Sequence, residues 1–133
     1  VMQHLGQGRD VLPTPAIFLI NIVGVWVLMV VTLWLARRAD AGLGVIAGYL
    51  LLVNAVVHVV AAVVLRRYNP GLVTGVAFFV PLGVAILATS PAGLGLHLLG
   101  LVLIVGLHAA IVASARRKIG RAPLYNPDPA NGG

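Results

Sequence analysis

The residues of this chain that could do chemistry are a few polar side chains set inside long apolar stretches. Asn54 and His58 are four residues apart, so a helix would carry them on one face. An amide and an imidazole on one face could orient a substrate, bind a metal ion through nitrogen or relay a proton. The sequence therefore predicts a polar site at Asn54 and His58, with His58 as the candidate metal ligand. Further candidates for this site are Tyr68, Thr74 and His108.

Four apolar runs must position these side chains, at residues 16–36, 43–65, 71–90 and 94–115. Each is close to the roughly 20 residues that a helix needs to cross a bilayer. With 60% hydrophobic and 9% charged residues, the chain has too little polar surface for a water-soluble domain. The runs lack the alternation typical of a transmembrane barrel. The predicted fold is an all-α membrane protein, an antiparallel bundle of four transmembrane helices.

Three parts of the chain follow from this pattern. Residues 1–15 form a leader, 16–118 the transmembrane domain, and 119–133 a tail rich in Pro, Asn and Gly. Such a tail cannot bury enough apolar surface to fold, so we expect it to be disordered. The chain starts with valine ahead of its first methionine and shows no cleavable signal peptide, which favours a fragment of a longer protein.

The net charge of +6 comes from basic residues placed at the ends of the apolar runs. With four spans, seven basic residues share the side of the two termini, and only Arg37 and Arg38 lie on the other side. The positive-inside rule then predicts a multi-pass protein of the cell membrane with both termini in the cytoplasm. No aromatic residues alternate with the basic ones, so nucleic acid is not an expected partner.

The signatures of common enzymes are missing from the sequence. It has no cysteine and no glutamate, and its three aspartates lie outside the apolar runs. No phosphate-binding glycine loop is present, so no cofactor-binding residue is predicted. The cofactor is unknown, and enzyme activity stays an open question. A buried Asn or His can also serve only as a hydrogen bond between helices, worth about 0.6 kcal/mol on average.

The segment from the Asn-x3-His pair onward resembles the HXXEE-motif family of small bacterial membrane proteins. The resemblance includes an Arg-x-Tyr-x-Pro-Gly-x-x-Thr turn and a Pro-Leu pair in the next span, and it extends over about residues 10–118. The matching positions are Asn54, His58, Arg66 or Arg67, Tyr68, Pro70, Gly71, Thr74, Pro81 and Leu82. The defining His-x-x-Glu-Glu of that family lies in an N-terminal helix, and this chain has no glutamate. The resemblance thus implies a missing first span and a five-span whole protein.

The family has no established activity, so three functions stay open alongside an uncharacterised membrane protein with a polar site. One is an intramembrane metal or proton site, which in the full-length form could be a metal-dependent hydrolase. Another is a small carrier or channel-like transporter. The third is a structural or assembly subunit, in which Gly44 and Gly48 form a helix-helix contact or an oligomer. The expected partner is the lipid bilayer, and any small-molecule ligand is unknown.

Overall fold

The computed structural model describes residues 20–66, 68 and 71–120, and all regular structure in these ranges is helical. Helix α1 covers residues 20–38, with a π-helical part at Ile20–Val27 and an α-helical part at Leu28–Arg38. After a 3-10 turn at Ala41–Leu43 come the other three helices: α2 at Gly44–Leu65, α3 at Leu72–Thr89 and α4 at Leu94–Gly120. The predicted all-α bundle of four helices is therefore confirmed.

Three of the described helices are long and apolar enough to cross a membrane. They contain 24, 18 and 21 residues, at Ala41–Val64, Leu72–Thr89 and Leu94–Ser114. The last three predicted spans coincide with them to within a few residues. The first predicted span begins at residue 16, outside the described residues, as do the leader and most of the tail. Those parts of the domain division stay predictions.

Helix α2 is the centre of the bundle, because it packs against each of the other three helices. Five of the buried apolar side chains belong to it: Val45, Ala47, Leu50, Leu51 and Ala55. Most large apolar side chains on the outer faces are exposed, as a helix surface in contact with lipid would be. Since lipid is as apolar as these side chains, close packing has to hold the helices together.

Glycines allow α2 and α3 to approach each other closely. A β-carbon at Gly48 would lie 2.7 Å from Cδ2 of Leu87, and one at Gly83 would lie 3.0 Å from the carbonyl oxygen of Gly48. A β-carbon at Gly44 would lie 2.6 Å from Oγ of Ser90. The Gly44 and Gly48 pair thus faces α3 within the same chain, which is an intramolecular use of the small-x3-small pattern.

Helix α4 packs on a different face of α2 and runs in the same direction. The turns that precede the two helices meet, since a β-carbon at Gly42 would lie 2.8 Å from Cδ1 of Leu96 and 3.2 Å from the carbonyl oxygen of Pro91. Asp40 fixes the first of these turns by accepting a hydrogen bond from the Gly42 N–H at 2.8 Å. Further along, a β-carbon at Gly100 would lie 3.2 Å from Cδ2 of Tyr49.

The proline in α3 is accommodated by a widened helical turn. Pro81 lacks an N–H, and its ring crowds the carbonyl group four residues earlier, so a mid-span kink is expected. In the structure a π-helical turn at Gly75–Phe79 comes just before it, and the Val80 N–H donates to the carbonyl of Gly75, five residues back. Such π-bulges are a recognised cause of helix bending.

Candidate functional site

His58 lies near the end of α2, and its imidazole covers the glycine that starts α3. A β-carbon at Gly71 would lie 2.6 Å from Cε1, 2.8 Å from Nε2 and 3.0 Å from Nδ1 of this ring. Gly71 also has φ of 97°, a backbone conformation that side chains rarely adopt. Two features therefore favour glycine at position 71, the positive φ and the contact with His58. Because Gly71 has no side chain, the imidazole can pack against the start of the next helix.

Asn54 lies one turn before His58 on the same face of α2, at the middle of the span. It is the eleventh residue, counting from Gly44, of a helix of 22 residues, so it lies roughly 15 Å from either end. The side chain is only 8% exposed. None of the side-chain hydrogen bonds between described residues involves its amide. The structure therefore places a largely buried asparagine, with an imidazole one turn away, at the middle of a helix that is long and apolar enough to cross a membrane.

A second polar pair links α2 to α4. The Tyr49 hydroxyl and Nδ1 of His97 are 3.0 Å apart and hydrogen bonded, and the two rings meet edge to face with centroids 5.9 Å apart. The predicted site did not include this pair. A signal was present in the sequence, because α2 and α4 start from the same side of the membrane and both residues lie near those starts. Which faces meet could not be read from the sequence.

Replacing Tyr49 with phenylalanine removes the hydroxyl of this pair and keeps the ring. We expect the free energy of unfolding to fall by about 0.6 kcal/mol, the average measured for hydrogen bonds between membrane helices, and by no more than about 1.7 kcal/mol, the largest value. Unfolding in mixed detergent micelles measures it. In a double-mutant cycle, the effect of Tyr49→Phe should disappear when His97 is already phenylalanine. An equal effect in both backgrounds would show that the hydroxyl acts elsewhere.

The other predicted site residues are spread over the bundle. Tyr68 is 70% exposed in the turn after α2, and Thr74 is exposed on the first turn of α3. His108 is on α4, where its Nδ1–H donates to the carbonyl oxygen of Ile104 on the same helix, at 2.9 Å. Because α4 packs on the face of α2 that carries Tyr49, His108 lies away from the face of Asn54 and His58.

A metal site would need several ligands close together. Typical protein sites use three or four side chains from His, Cys, Asp and Glu. Within the described ranges, no group of three such residues is placed to hold an ion. The suggestion that His58 binds a metal therefore stays a prediction from the sequence alone.

Apolar helices of membrane-spanning length, packed around a central helix, define a small all-α membrane protein. The chain belongs to the family described as proteins of unknown function with an HXXEE motif, whose profile matches residues 11–86. This confirms the resemblance seen in the sequence. The match includes Asn54, His58 and Gly71 and ends before α4 begins. No curated protein and no solved structure matches the chain.

Proposed function

We propose that this protein is a multi-pass protein of the cell membrane whose central helix binds a polar group inside the bilayer, at Asn54 and His58. The observation that carries the proposal is the buried Asn54 amide at the middle of α2. A polar group in hydrocarbon is costly unless it is hydrogen bonded, and groups at this depth mark functional sites by default. A ligand that brings its own donor or acceptor would remove that cost.

The surroundings of the amide support a binding role. His58 adds a second hydrogen-bonding side chain at i+4 on the same face, and it is half-buried. Contact with Gly71 holds the ring against α3. The two side chains together offer both donors and acceptors, so they suit a small polar group such as a carboxyl, an amide or a hydroxyl.

The charges support an orientation with both termini in the cytoplasm. Arg37 and Arg38 end α1 and are exposed, whereas Arg66 ends α2 at the opposite end of the bundle and is also exposed. The turn with Arg66 then shares its side with the termini and with most of the basic residues of the sequence.

Replacing Asn54 with leucine tests the binding role against a purely structural one. If the amide is there for a ligand, the purified protein loses only an unmet polar group, and we expect its free energy of unfolding to rise by about 1 to 2 kcal/mol. A purely structural role predicts the opposite sign, because a hydrogen bond between helices would be lost. Unfolding in mixed micelles distinguishes the two.

The matched control is Thr32→Val. Thr32 is also buried, at 5% exposure, but its hydroxyl donates to the carbonyl oxygen of Leu28 at 2.8 Å. This substitution should therefore not raise stability. In a strain that lacks the gene, Asn54→Leu should fail to restore the wild-type phenotype although it is the more stable protein, and Thr32→Val should restore it. Full restoration by Asn54→Leu would contradict the proposed site.

A further inference from the structure

An apolar groove lies between the last two turns of α2 and the first two turns of α3. Its volume is about 610 Å³, and the side chains that line it are all apolar. They include Val59, Ala62 and Val63 on α2 and Leu72, Val73 and Val76 on α3. The groove thus extends along the bundle directly below the turn that joins these two helices.

Arg66 ends α2, directly after the part of this helix that lines the groove. It follows Ala62 and Val63 by one turn, its side chain is exposed, and its N–H donates to the carbonyl oxygens of both residues. Its backbone is left-handed, with φ of 48° and ψ of 40°, a conformation that glycine adopts at much lower cost. Left-handed residues commonly end helices, and an arginine that takes this place over glycine is a candidate for a role of its guanidinium group.

Two further features place this rim at the level of the lipid headgroups. Tyr68 is exposed in the same turn, and tyrosine is enriched where membrane meets water. The sequence adds a second arginine, Arg67, directly after Arg66. Clustered basic residues at the end of a membrane helix attract anionic lipids, and a guanidinium group can bind a phosphate through two parallel hydrogen bonds.

We propose that this groove binds an anionic phospholipid, with one acyl chain between α2 and α3 and the phosphate on Arg66. The apolar lining fits the chain, and the positive charge at the groove end fits the phosphate. A zwitterionic lipid would fill the same groove with lower affinity. This site is separate from Asn54 and His58, so its test does not depend on the proposed function.

Native mass spectrometry of the full chain in detergent, with equal amounts of phosphatidylglycerol and phosphatidylcholine, tests the proposal. The wild-type protein should retain one molecule of phosphatidylglycerol in preference to phosphatidylcholine. Arg66→Gly should lower that affinity about fivefold, the order expected for one basic residue, and leave phosphatidylcholine unchanged. Glycine suits the left-handed backbone at this position, so the variant should fold at least as well as the wild type. Ala62→Phe fills the groove and should lower the affinity for both lipids.

Two matched variants show whether the effects belong to the groove. Arg38→Gly removes an exposed arginine at the other end of the bundle, and Ala110→Phe adds a ring on an exposed position of α4. Neither should change lipid retention. The proposal fails if Arg66→Gly keeps the full wild-type preference for phosphatidylglycerol, or if Arg38→Gly lowers it equally. It also fails if Ala62→Phe retains both lipids or instead dissociates a dimer, since the groove would then join two copies of the chain.

Discussion

Replacing Gly71 with alanine should lower the free energy of unfolding by about 2 to 5 kcal/mol. One part is the backbone, since φ of 97° costs a residue with a β-carbon about 1 to 2 kcal/mol. The other part is overpacking of about 1 to 3 kcal/mol, because the new methyl group would lie 2.6 Å from Cε1 of His58. Denaturation in mixed micelles, followed by the fluorescence of Trp26 and Trp34, measures the loss.

The backbone cost and the overpacking cost can be separated by removing the imidazole of His58. In a His58→Ala background, Gly71→Ala should cost only the backbone part, about 1 to 2 kcal/mol. The difference between the two backgrounds is the coupling between His58 and the start of α3. If Gly71→Ala costs the same with and without the imidazole, then His58 does not lie over this glycine and the described site is wrong.

Replacing Gly83 with valine should lower the free energy of unfolding by about 3 kcal/mol, because the new side chain would meet the backbone of α2. Its β-carbon would lie 2.9 Å from Cγ of Leu52 and 3.0 Å from the carbonyl oxygen of Gly48. Leu52 can adopt another rotamer, but the carbonyl oxygen belongs to α2 and moves only with the helix. The two helices must therefore separate, which loses contacts along their whole interface. Thermal unfolding in detergent gives the size of the effect.

Gly106 provides the matched control, because nothing lies within 4 Å of a β-carbon at that position of α4. Gly106→Ala should be neutral or stabilise the protein by up to about 1 kcal/mol through helix propensity. Gly83→Ala should still be destabilising. Equal effects of alanine at these two glycines would mean that α2 and α3 are not in the close contact described above.

The spans were predictable because in lipid the length and polarity of a run decide its structure almost alone. The prediction of 43–65 differs by one residue from Gly44–Leu65, and 71–90 differs by one residue at each end from Leu72–Thr89. At 94–115 the start is right but α4 continues to Gly120, since Arg116, Arg117 and Lys118 are good helix formers and extend the helix beyond the apolar run. At Pro81 the sequence predicted a kink, but it did not predict that the kink would take the form of a π-helical turn.

The candidate site was predictable only for residues whose relative positions are fixed within a single helix. Asn54 and His58 share a face because the helical period requires it. The contact of His58 with Gly71 and the bond of Tyr49 to His97 depend on which faces of different helices meet, and composition does not fix this in lipid. The hydrogen bond of His108, in contrast, does not depend on helix packing, because its acceptor is the carbonyl oxygen of Ile104 one turn earlier on the same helix.

The central position of α2 has a consequence for biosynthesis. This helix leaves the ribosome before α3 and α4, yet both of them pack on it. The face with Gly44 and Gly48, and the side chain of Tyr49, are therefore in contact with lipid until the later helices are inserted. Around Gly44 and Gly48 this face has no polar side chain to leave unpaired in lipid, whereas Tyr49 lies close enough to the start of its helix to reach interfacial water in the meantime.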